Sequence, residues 1–128
     1  MSYTIDRTFQ NEDFDKVTER TRAALSDQGF GVLTEIDVKA TLKKKIGEDV
    51  ASYLILGACN PNMAHKAMQI EPRIGAMLPC NVIVRAVGDA IEVSAIDPVA
   101  SMIAIDNDEL KSVAGRVREM LKTVIAAI

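Results

Sequence analysis

From residue 107 to the end of the chain, Leu110, Val113, Ala114, Val117, Met120, Leu121, Val124, Ile125 and Ile128 fall on one helical stripe. Lys111, Arg116, Glu119 and Lys122 occupy the opposite side. A helix patterned this way is stable only when its stripe is buried. A second amphipathic helix follows Asn11, which reads as its N-cap, with Glu12 and Asp13 at the positive helix end. Its stripe is Phe14, Val17, Thr21, Ala24 and Leu25, and Gly29 stops it, with Phe30 placed to fold back on the last turn.

Between the two helices lie the pieces of a sheet. Residues 2–9 alternate loosely, residues 31–36 read as a second strand, and residues 50–58 are apolar nearly throughout, as a central strand buried on both faces would be. Asp37 caps a short helix with Val38, Leu42 and Ile46 on one face, lysines on the rest, and Gly47 at its end. Asn60-Pro61 opens a third helix that ends before Pro72. Residues 81–87 and 90–96 flank Gly88-Asp89, a pair suited to a type II′ hairpin. Asp97-Pro98 then opens a helical turn through Ile103.

Strands separated by helices favour crossovers, while the hairpin demands an antiparallel pair, so the expected sheet is mixed. The reading is one α+β domain over residues 1–128. It is a two-layer sandwich with about five strands and helices packed on one face. The bare sheet face then calls for a cover, and a second copy of the chain is the economical one, making a homodimer.

Chemistry concentrates in residues 55–82, ILGACNPNMAHKAMQIEPRIGAMLPCNV, which hold both cysteines, the only histidine and three of the six methionines. Cys59 leaves a strand and precedes a helix that Asn60 can cap. That position lowers a thiol pKa and suits an anion. His65 follows one turn later, and Cys80 opens the next strand after Pro79. If those strands are neighbours, Cys59, His65 and Cys80 converge as two thiolates and an imidazole, a zinc-like set with an open position. Met63, Met68 and Met77 turn the preference towards a softer metal ion such as Cu(I). The spacing lacks the compact pairs of a strong metal motif. A Cys59–Cys80 disulfide would stabilise by about 3 kcal/mol, yet a reducing compartment opposes a permanent one. Asn81 and Asp97, at strand ends, complete the candidate ligand-binding set, and Asp97 could orient His65 as a base for Cys59.

Four blocks, GFGVLTEIDVKATLKKKIG, YLILGACNPNMAHKAM, IGAMLPCNVIV and VSAIDP, run over most of residues 29–98. Together they resemble domain-of-unknown-function family 302, and the Cys59-Asn60-Pro61 and Pro79-Cys80-Asn81 motifs are intact. The resemblance implies a small α+β fold found as dimers and carries no assigned activity.

Composition excludes several classes. Fifteen Lys+Arg against 18 Asp+Glu leave a net charge of -3, which argues against a dedicated nucleic-acid binder. With no Trp, three Phe and two Tyr, a stacking platform for single strands is also unexpected. Scattered glycines form no phosphate loop, and Lys43-Lys44-Lys45 reads as a solvated helix face. Residues 1–30 contain no apolar run of signal-peptide length and no stretch approaches a membrane span, so the expected location is cytoplasmic. The leading expectation is a domain that binds a small ligand, an anion or a soft metal at the Cys59 helix start. The alternatives are a thiol-dependent enzyme or sulfur carrier using Cys59 with His65 and Cys80, and a structural or interaction domain without a small-molecule site.

Overall fold

The computed structural model, which describes residues 2–128, contains the strands β1 (Thr4–Gln10), β2 (Gly31–Asp37), β3 (Tyr53–Cys59), β4 (Cys80–Val87) and β5 (Ala90–Ile96). They form one sheet of order β1-β5-β4-β3-β2. Its helices are α1 (Phe14–Asp27), α2 (Val38–Ile46), α3 (Pro61–Ile70), α4 (Pro98–Ser101) and α5 (Asp108–Ala127), with a 3₁₀ segment at Pro72–Met77.

The α+β class and the five strands are as expected, but the sheet is not mixed. Every neighbouring pair is antiparallel. The connections explain this. β1 and β2, joined by α1, do run parallel, yet α1 carries the chain from one edge to the other, with three strands between them. The excursions through α2 and α3 return beside the strand they left. β3 is interior, but one face of the sheet has no helix over it, so only Leu54, Leu56, Gly57 and Ala58 are buried, while Tyr53 and Ile55 are half-exposed, as is Ile83 of the central β4.

One face of the sheet makes the core. The register aligns Val93, Val84 and Leu54 in one row and Ala95, Val82 and Leu56 in the next, all buried. α1 and α5 pack side by side over β1, β4 and β5. Leu110, Leu121 and Val124 of α5 and Val17 and Leu25 of α1 are essentially sealed, each stabilising by about 1.5–3 kcal/mol. No basic residue occupies the last turn of α5. Arg7 of β1 takes that role, its Nη1 donating to the carbonyls of Ile125, Ala126 and Ile128 at 3.2, 2.9 and 3.1 Å.

Local signals hold with one correction. Gly29 is left-handed at φ +81°, and Phe30 N–H donates to the Leu25 carbonyl at 2.9 Å, closing the helix as expected. Gly88 has φ +59°, matching the two-residue turn between β4 and β5. The N-cap of α1 is Asp13, not Asn11: Asp13 Oδ2 accepts from Lys16 N–H at 3.1 Å. Asn11 instead turns the chain out of β1 at φ +54°, a conformation asparagine tolerates better than most residues. α2 contributes no buried residue, and its lysines are exposed to solvent.

Candidate functional site

The candidate site sits where β3 ends and β4 begins. Cys59 is the last residue of β3, and Asn60 turns the chain into α3. Asn60 Oδ1 accepts from Met63 N–H at 3.2 Å, satisfying one of the free donors of the helix start, and Pro61 is pre-shaped for the first turn. Asn60 Nδ2 donates to the Gln28 carbonyl at 3.4 Å, tying the start of α3 to the end of α1. Gly29 leaves room for this amide, since a Cβ there would stand 3.2 Å from Nδ2.

Cys80 opens β4 directly across from Ala58. Both cysteines are free, Cys59 half-buried and Cys80 buried at 8 % exposure. Burial, and after it the nearby Cys59, push the Cys80 thiol up to about 11. Cys80 is therefore a neutral thiol at ordinary pH.

Both cysteines border a partly open pocket of about 40 Å³ between β3, β4, α3, α4 and α5. Its other walls are apolar except for Asn60: Phe30, Met63, Ala67, Met102, Val113 and Val117 are representative. A water molecule needs about 10–15 Å³ of such space and two to four polar partners. The room is present and the partners are nearly absent, which suits an apolar or soft guest. A hard anion would lose its hydration here without replacement, so the anion expectation finds no support in these walls.

Of the residues expected at the site, Cys59, Asn60 and Cys80 come together and the others do not. His65 is exposed and absent from the cavity lining, because Met63, Ala64 and Ala67 turn that side of α3 inward. Among the described residues no three His, Cys, Asp or Glu side chains gather in a way that could hold a metal ion. The Cys59–His65–Cys80 set is not assembled. Asn81 pairs with Gly57 and is exposed, the alternation of β4 placing it on the other face from Cys80. Asp97 is buried but has a structural task. Its Oδ1 accepts from Val99 N–H at 2.9 Å to start α4, and its Oδ2 lies 3.2 Å from Arg118 Nε. Met68 and Met77 are exposed. Met102, at the end of α4, lines the cavity instead. Met102 and the α5 residues that roof the cavity carry no sequence signal beyond that of core.

A profile of the domain of unknown function DUF302 matches residues 5–128. The chain belongs to family DUF302. Its fold is similar to that in the crystal structure of an uncharacterized conserved DUF302 protein from Bacillus stearothermophilus, with a TM-score of 0.92 at 21 % identity over 99 % of this chain and 98 % of that one. No curated protein matches this DUF302 domain. Among the described residues, no helix is long and apolar enough to cross a membrane.

Proposed function

We propose that this DUF302 domain binds a small apolar or soft guest in the cavity beside Cys59 and Cys80. The supporting observation is a partly open pocket of about 40 Å³ bordered by apolar residues and by two free cysteines. Xenon tests it directly, because dry apolar cavities take up such atoms. Dissolved xenon is expected to shift the NMR signals of Ala64, Ala67 and Val113, and Ala67→Leu, which fills the space, should remove the effect. Unchanged spectra of the wild-type protein under xenon would refute the reading.

Two free cysteines bordering one pocket also favour a second reading, thiol chemistry by a thiol-dependent enzyme or sulfur carrier. Cys59 is the nucleophile in that case and Cys80 its neutral neighbour. With His65 on the exposed side, no imidazole base accompanies them. Time-dependent, stoichiometric labelling of Cys59 by a small electrophile, blocked by xenon, supports this reading; labelling no faster than a model thiol opposes it.

A second copy of the chain is the partner that fits the uncovered sheet face. That face carries the row Asp6, Ser94, Ile83, Ile55 and Ile36. Beside it, residues 31–50 contain no buried side chain, and Leu33 and Ile46 are 69 % and 65 % exposed. Five strands of seven or eight residues present roughly 600 Å² per copy, or about 1,200 Å² for a face-to-face pair, the lower end of stable interfaces. Sedimentation should show twice the 13.9 kDa chain mass at micromolar concentration. A single-chain species that persists on concentration would exclude the dimer.

A further inference from the structure

α3 and α5 pack against each other, and an open cleft of about 690 Å³ runs along the outer side of that contact. Helical spacing builds its two walls. Lys66, Gln69 and Ile70 stand at i, i+3 and i+4 on α3, and Glu109, Ser112, Val113 and Arg116 at i, i+3, i+4 and i+7 on α5. Residues so spaced share one helix face, so each wall is a continuous strip. The strip of α3 that faces the pocket beside Cys59 is a different one, made by Met63, Ala64 and Ala67.

The cleft is chemically unlike that pocket. Val113 is buried and Ile70 half-buried, which makes a narrow apolar floor. Lys66, Gln69, Glu109, Ser112 and Arg116 are all exposed along its sides. Among the described residues, Lys66, Glu109 and Arg116 form no ion pair. Arg118 and Lys122, farther along α5, are paired with Asp97 and Glu119. In a chain of net charge -3, the cleft sets two cations against one carboxylate.

We infer that this cleft binds a hydroxylated organic anion of the size of a sugar phosphate or sugar acid. Its volume falls in the range of small-molecule sites, about 300–1,000 Å³, and exceeds what one inorganic anion fills. Lys66 and Arg116, on opposite walls, therefore serve different groups of one ligand and need not reach the same oxygen. Gln69 and Ser112 supply neutral donors and acceptors that match hydroxyl groups. The Ile70–Val113 floor suits the C–H edges of a sugar. Glu109 disfavours a ligand of dense negative charge, such as a polyphosphate. The cleft is a site separate from the pocket beside Cys59 and does not depend on a guest there.

The test is titration of the full-length protein at low salt, followed by amide NMR, with ribose 5-phosphate, gluconate, inorganic phosphate and ribose as probes. Ribose 5-phosphate or gluconate should give saturable shifts at Gln69, Ile70, Ser112 and Val113, and should bind more tightly than phosphate or ribose alone. Lys66→Gln and Arg116→Gln should each weaken binding about tenfold, as loss of a hydrogen bond to a charged group does. Lys44→Gln removes a cation that is also exposed but lies on α2, and it should leave affinity unchanged. Ser112→Trp, which fills the cleft from an exposed position, should abolish binding. Three outcomes would overturn the site. The first is no saturable shift with either sugar anion. The second is inorganic phosphate binding as tightly as ribose 5-phosphate, which describes a bare anion contact. The third is an equal loss in Lys44→Gln, which describes diffuse surface charge.

Discussion

Ala58 and Cys80 are register partners across β3 and β4. Cys59, the residue after Ala58, is thereby brought to the same end of the strand pair as Cys80, although 20 residues separate the two cysteines in the chain. The excursion through α3 and the 3₁₀ segment closes on itself at this pairing, and the cavity forms inside the closure.

The two thiols should react in a fixed order. Cys59 is half-buried and Cys80 buried, so iodoacetamide at pH 8 should label Cys59 in the folded protein and Cys80 only after denaturation. Mass spectrometry of proteolytic fragments reads the order. Equal labelling of both thiols in the folded state would contradict the burial of Cys80.

Stability should fall in alkaline solution because of Cys80. Its thiol titrates near 9.0 without the fold and at about 11 within it. A pKa raised by folding means that the contribution is complete below pH 9 and is lost as pH rises through 11. The loss amounts to about 2–3 kcal/mol. Alkaline pH acts on the whole chain, so the measurement is a difference: urea melts of the wild type and of Cys80→Ala from pH 8 to 11. The gap between the two should narrow with pH; a constant gap would count against the assignment.

Gly57 is a steric gate between β2 and the site. A Cβ there would overlap the Thr34 hydroxyl and come within 2.9 Å of Pro79 Cγ. Gly57→Ala should therefore destabilise by about 1–3 kcal/mol, as overpacking does. It should also alter Cys80 reactivity, since Pro79 precedes that residue. Adding Thr34→Ala should recover part of the loss in a double-mutant cycle. No recovery would place the strain elsewhere.

Asn60→Ala removes both the cap on Met63 N–H and the link to the Gln28 carbonyl. The expected cost is about 1 kcal/mol, or about 4 °C in Tm for a chain of this size. Asn60→Asp keeps the capping oxygen and should lose less. Cys59→Ser changes little volume and should melt near the wild type; a collapse of its Tm would make Cys59 structural.

Most helices were readable from the chain because their causes are local. The stripe of α5, the Asn60-Pro61 start of α3 and the stop at Gly29 depend on neighbours within a few residues. The cap of α1 shows the limit of such signals. Asn11 and Asp13 are both good caps, and the choice fell to Asp13 because Asn11 is occupied in turning the chain out of β1, its N–H donating to the Asp89 carbonyl at 3.1 Å. The sheet was read less well. Alternation of strands and helices cannot say whether a helix crosses to a new neighbour or returns to the old one.

By itself the sequence determined the elements, their order and the crowding of sulfur into one segment, all consequences of local backbone preference and side-chain periodicity. Tertiary structure alone decided which of those side chains meet. Docking of α3 against α5 turned Met63, Ala64 and Ala67 inward and His65 to solvent, and the β3–β4 register set Cys80 across from Ala58, the neighbour of Cys59. Met102 entered the same cavity from the end of α4. Convergence of distant residues is set by packing of whole elements, and no short stretch of sequence encodes it.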